Sequence, residues 1–304
     1  MSAGIAASPS APHSAMASRT PAHAQPARAS ASSALPGQDA APSVVGTVLR
    51  HEWRSVLRNR GVLVFGLGTL VLTEIVLRLT GSAPRALSSL LNLVLLVVPL
   101  VTTMAGIISW HASREFNELL LTQPVRRRAL FVALYLALVL PLAVVFALGL
   151  LLPMAWHRVI GPETSGLLLA TVGSGVALTF VFGGLALLIG IRVDDRLRSV
   201  MTGLMVWLLL TVGYDALVLI VSTTMADYPL ERPMLALMLG NPVDLARTVI
   251  ILQSDTAALM GYTGAVMQRF LGSATGTAAA VLGLLAWIVL PMLVARRSFE
   301  RRDF

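Results

Sequence analysis

Few side chains in this 304-residue sequence are of a kind that could do chemistry, and their spacing excludes most reactions. Glu74 and Arg78 stand four residues apart inside one apolar stretch, with the acid first, which lets them pair along a helix. Asp215 follows Tyr214 in another apolar stretch and has no basic residue near it in sequence. Charges in apolar surroundings are costly, so each is a functional candidate by default. The alternatives are a structural pair with Arg78 reaching toward water, and for Asp215 a bond between helices or a place in a gate or path. No His-Glu-x-x-His and no Gly-x-Ser-x-Gly occurs, and the five histidines (His13, His23, His51, His111, His157) are scattered. There is no cysteine, hence no disulfide, thiolate metal site or cysteine nucleophile. Lysine is also absent, so no Walker A loop exists to hold nucleotide phosphates. Met225, Met234, Met238, Met260 and Met267 could suggest thioether copper ligation, but no His or Cys accompanies them, and packing is the preferred reading. The chain is expected to be no enzyme and to bind no cofactor or metal itself.

Two polar segments remain. His111–Arg128 carries Arg114, Glu115 and Glu118, then Leu119–Leu121, Thr122, Pro124 and Arg126. An amphipathic turn stopped by Pro124 and held between two apolar stretches can dock into a partner's groove and move both. The plain alternative is a solvated loop rich in arginine. Farther on, Asn241, Pro242 and Asp244 form a helix start: Asn caps, Pro suits the first position, and Asp favours the first turn. Leu245, Val249, Ile250 and Leu252 then give a greasy face, with Arg247 among them, which predicts a short helix lying on the outer membrane surface.

Composition decides what must position these residues. Hydrophobic residues make up 56% and charged residues 12%, against about 25% charged in soluble domains. Mean hydropathy is +0.79. A soluble enzyme, a nucleic-acid binder and a disordered chain are excluded, and an all-α polytopic membrane protein is expected. Residues 1–43, rich in Ala, Ser and Pro, read as a disordered tail without a signal-peptide core. Residues 44–60, begun by Ser43, read as an amphipathic interfacial helix, with Trp53 on one face and Arg50, Arg54 and Arg58 on another. The remainder, 61–304, is one membrane domain. Its six apolar stretches, 61–80, 86–110, 129–155, 166–191, 200–222 and 277–295, are each long enough to span. Pro141 and Pro291 should kink the third and sixth. If the N-terminus is inside, seventeen of the 23 arginines fall on the inner side, so both termini are expected in the cytoplasm and the 223–276 loop outside.

With these features in place, the chain resembles a type-2 (ABC-2) ABC transporter permease. The resemblance rests on Glu118-Leu-Leu-Leu-Thr-Gln-Pro-Val-Arg126 and on the layout from Ser43 to the C-terminus. Within that family it is most similar to the NosY-type permeases of nitrous oxide reductase maturation, through Leu120-Leu-Thr-Gln-Pro124, Val206-Trp207 with Asp215, and Leu239-Gly-Asn-Pro-Val-Asp244 followed by Arg247. The resemblance implies that 111–128 is a coupling loop contacting a separate ATPase subunit that binds ATP and Mg. It implies a bacterial inner-membrane location, a homodimer of the permease and a periplasmic partner protein, with lipid but no nucleic acid as surroundings. Generic export of lipid, drug or glycan, and a mechanical transducer that moves nothing across, stay open as alternatives.

Overall fold

A computed structural model describes residues 60–114, 127–224, 237–253 and 274–301. The 1–43 tail and the interfacial helix expected before Arg60 lie outside these residues. Among the described residues every regular element is helical. Helix α1 is Arg60–Thr80, α2 Ala83–Ala112, α3 Arg127–Trp156 and α4 Pro162–Arg192. Helix α5, Arg196–Leu208, passes through a π-turn, Leu209–Gly213, into α6, Tyr214–Thr224. Helix α7 is Pro242–Leu252 and α8 Ala274–Glu300. Six of these segments are apolar and long enough to cross a membrane: α1, α2, α3, α4, the α5–π–α6 unit and α8. We call them spans one to six. Each runs a few residues past its apolar stretch, because the backbone ladder continues where the hydrocarbon ends.

Local sequence sets the ends. Gly81 closes α1 at φ +64°, a conformation that costs a glycine little, and its N–H donates to Leu77 O at 3.1 Å. Asp195 caps α5 by accepting from Arg198 N at 2.7 Å. Pro141 and Pro153 lie within α3 and Pro291 within α8, and none of them ends its helix.

Spans two, three and four form the centre, with span one against three and span six against four. Phe131, Tyr135, Phe146, Phe182 and Phe299 are fully buried there, and the Tyr135 hydroxyl donates to Phe180 O at 2.8 Å. Small residues set the spacing, because without a hydrophobic drive between helices close van der Waals approach must hold them. A Cβ on Gly106 would stand 2.5 Å from Ala186 Cβ, and one on Gly184 would stand 3.2 Å from Pro291 Cβ.

The described part of the outer loop differs from expectation. Helix α7 does not lie on a membrane surface; it is packed among spans two, four and six and the π-turn of span five. Its greasy side is wider than one surface-bound face, and Val243, Leu245, Ala246, Thr248 and Ile250 are all buried. The Asn241 amide donates to Leu210 O at 2.8 Å, and Leu210 is the middle residue of span five. From that depth α7 climbs about 16 Å at 1.5 Å per residue. Its far end comes close to Gly166, near the start of α4, where a Cβ would lie 3.0 Å from Gln253 Oε1.

Candidate functional site

Four polar residues expected to matter are brought together where α7 meets span five. Arg247 forks onto Asp215: Nη1 donates to Oδ1 at 2.9 Å and Nη2 to Oδ2 at 3.1 Å. The same Nη1 donates to Asp244 Oδ1 at 3.0 Å. Asn241 donates to Asp244 Oδ2 at 3.2 Å, while its own oxygen accepts from Val243 N at 3.0 Å and caps α7 over Pro242. One amide thus starts the helix, orients an acid and ties the helix to span five. The partner that Asp215 lacks in sequence is supplied by the fold.

The π-turn lies at this junction. A π-turn widens the helical ladder, and such turns recur at functional sites. Span six holds the same segment from its other side, with Trp287 Nε1 donating to Leu239 O at 3.1 Å. Tyr214, next to Asp215, donates to Leu237 O at 2.5 Å.

Asp244 and Arg247 belong to α7, outside the six spans. Burial raises the Asp244 pKa above its ordinary value, against the lowering pull of the Arg247 charge. Arg247 is raised in turn, chiefly by its hydrogen bond to Asp215, so it stays charged. The cluster is two acids bridged by one fixed cation. It can clamp one helix to another; it has no nucleophile and no base aligned with one.

Removing the Asn241 side chain tests the clamp. Asn241→Ala loses a cap and leaves the Leu210 carbonyl without its side-chain donor. We expect it to lower stability by about 2 kcal/mol, the sum of a cap and a buried hydrogen bond, in equilibrium unfolding in mixed micelles.

Glu74 and Arg78 pair as their spacing predicts, Nε to Oε1 at 2.6 Å. Sequence reasoning missed His157, whose Nε2 stands 3.0 Å from both Glu74 oxygens at the end of α3. An ionised carboxylate only accepts, so that nitrogen carries the hydrogen. Nothing local in the sequence pairs residues 83 positions apart. Arg78 is 70% exposed, and such pairs contribute little.

At the opposite end of the spans, Arg114 meets Asp194 in the turn before α5, Nη2 to Oδ1 at 3.2 Å. Arg128 meets Glu300 at the end of α8, Nε to Oε1 at 3.2 Å, and Arg127 Nη1 donates to Glu300 O at 3.1 Å. One flank of the expected coupling loop is therefore tied to the turn between spans four and five, and the other to the end of span six. Glu115, Glu118, Leu119, Thr122, Pro124 and Arg126 lie outside the described residues.

Comparison with known proteins decides the family. The family described as ABC-2 family transporter protein matches residues 117–304, which include Asp215, Asn241, Asp244 and Arg247. This chain belongs to the ABC-2 family. It is also similar to the probable ABC transporter permease protein NosY of Stutzerimonas stutzeri, 28% identical over 278 residues, covering 85% of this chain and 98% of that protein. The protein of the same description from Pseudomonas aeruginosa is 25% identical over 277 residues, covering 85% and 98%. As an ABC-2 protein with six apolar helices, the chain is a NosY-like, multi-pass membrane permease subunit of an ABC transporter.

Proposed function

We propose that this permease is driven by a separate cytoplasmic ATPase and that two copies of each chain form the working unit. The observation that carries this reading is the likeness to NosY permeases over 98% of their length. In this reading ATP and Mg bind the partner, and closure of the ATPase dimer pushes the 111–128 loop. Arg114, Glu115, Glu118, Leu119, Thr122, Pro124 and Arg126 receive the push. The ties from Arg114 to Asp194 and from Arg127 and Arg128 to Glu300 support it, because they lead from the loop's flanks into spans five and six. Those two spans hold the α7 segment at mid-depth through Leu210 and Trp287. Motion of the loop is thereby passed to α7 and its Asp215–Arg247 clamp, which faces the periplasmic side.

The finer role we propose is maturation of a copper enzyme, nitrous oxide reductase, with a periplasmic protein as the recipient of the motion. Glu118→Arg tests the coupling. Charge reversal at a docking contact is expected to weaken ATPase association about tenfold, read as ATPase retained on the purified permease. Retention and ATP turnover equal to wild type would remove Glu118 from the contact. Native pull-down in mild detergent tests the role: an ATPase with a periplasmic protein supports maturation, and an ATPase alone supports export of lipid, drug or glycan.

A further inference from the structure

The start of α3 meets the end of α8 at the side of the bundle that carries the 111–128 loop, and cations are in excess there. Arg127 and Arg128 open α3, Arg296 and Arg297 lie in the last turn of α8, and Arg301 follows it. Among the described residues of these two helix ends there is a single acid, Glu300. It is an incomplete counter-ion. Its Oε1 lies 3.2 Å from both Arg128 Nε and Arg296 Nε, yet it accepts an aligned hydrogen bond from neither. Arg127 Nη1 donates to the backbone carbonyl of the same residue at 3.1 Å. Arg297 and Arg301 are exposed and meet no acid among the described residues. Arg301 N donates to Arg297 O at 3.2 Å, so the two stand one turn apart on one side of the chain, a spacing at which like charges repel. The neighbouring sequence adds Arg126, Arg302 and Asp303, which leaves the excess in place.

Packing keeps these cations together. Phe299, next to Glu300, is fully buried, with the Trp110 ring of α2 edge-on at 6.0 Å and the Phe131 ring of α3 at 5.8 Å. The three rings fix the end of α8 against α3, so the guanidiniums stand on packed helix ends and cannot drift apart as they would on a loop. Repulsion held by packing calls for an anion from outside the chain. Depth says which one. Arg296 directly follows Ala295, the last residue of the sixth apolar stretch, so the group lies where hydrocarbon gives way to headgroups. The anion abundant at that level is the phosphodiester of a phospholipid, and guanidinium forks suit phosphate oxygens. Arginines scattered along a membrane border meet headgroups loosely; these are gathered around one insufficient acid. We propose that the junction of α3 and α8 binds the headgroup phosphate of an anionic phospholipid, with Arg297 and Arg301 from the end of α8 and Arg128 from α3 as its donors. A lipid held there braces the end of span six beside the 111–128 loop. The site stands whether or not an ATPase drives that loop.

The test uses the full chain, purified with any ATPase it retains, in nanodiscs of phosphatidylcholine containing phosphatidylglycerol. Lipids that stay bound on release into detergent are counted by native mass spectrometry. Phosphatidylglycerol is expected to be retained in preference to phosphatidylcholine. Arg297→Gln together with Arg301→Gln should weaken that retention about fivefold for each arginine removed, the usual worth of one basic residue beside an anionic membrane surface. Both side chains are exposed, so the helix packing stays intact. Arg297→Lys with Arg301→Lys keeps the charge and should keep most of the lipid. Arg85→Gln with Arg158→Gln removes the same charge from exposed positions at the other end of the spans and should leave retention unchanged. No preference for phosphatidylglycerol in the wild type, or an equal loss in this control pair, would overturn the site. Displacement of the lipid by millimolar inorganic phosphate would give the site to a soluble anion. Loss of ATPase with lipid retention unchanged in the Arg297/Arg301 glutamine pair would give the surface to a protein. Either result overturns the proposal.

Discussion

Arg247→Ala is expected to destabilise the permease by about 3 kcal/mol, the lower end of the range for breaking a buried ion pair. Arg247 serves two acids at once, forking onto Asp215 at 2.9 and 3.1 Å and reaching Asp244 at 3.0 Å. Without it, two carboxylates face each other with no cation between them. Asp244 is only 13% exposed and takes most of the cost, while Asp215 is 47% exposed, which is why the lower end applies. Arg247→Lys keeps the charge but loses the fork, and its cost should be clearly smaller. Adding Asp215→Asn to Arg247→Ala should restore part of the loss, giving a coupling energy in a double-mutant cycle. Equilibrium unfolding in mixed micelles measures all of these. A loss no greater than that of Arg158→Ala, an exposed arginine in the turn after α3, would show that the fork contributes nothing.

Gly149→Val is the second substitution with a large expected effect, and its cause is steric. A Cβ at Gly149 would lie 2.9 Å from Thr69 Cβ and 3.2 Å from the backbone nitrogen of Leu70. Backbone cannot swing aside as a side-chain tip can, so span one must move away from span three. Two turns of span one are affected, because a Cβ at Gly66 would clash with Val145 on the same interface. We expect a loss of about 2–3 kcal/mol, the usual cost of overpacking. Gly68 gives the opposite sign. Nothing lies within 4 Å of its would-be Cβ, so Gly68→Ala should gain about 0.5 kcal/mol from helix propensity alone. A loss for Gly149→Val beside a small gain for Gly68→Ala in one unfolding series would separate contact from propensity; a neutral Gly149→Val would mean that the two spans are not in close contact.

Much of this architecture is legible in the sequence because lipid enforces it. Every backbone group in hydrocarbon must bond within its own helix, so an apolar run of about 20 residues reports a span whatever its neighbours do. The six runs therefore mark the six long helices to within a few residues. The start of α7 is legible for a similar reason, since Asn241, Pro242 and Asp244 act on the backbone beside them. The Glu74–Arg78 pair follows from helical spacing alone.

What the tertiary structure decided is everything that depends on which helix faces which. Asp215 and Arg247 are 32 residues apart, and no local rule joins them. The one hint was an arginine amid the greasy residues of α7, which needs a counter-charge that its own turn only half supplies. The depth of α7 was likewise beyond local reading. An amphipathic segment looks the same on a membrane surface as in a bundle; the acceptor at Leu210, at the π-turn of span five, and the Trp287 donor of span six hold its start at mid-depth. Hydropathy fixes how many helices cross, because that is an exchange between chain and lipid; polar pairing fixes how they are joined, because that is an exchange between distant parts of the chain.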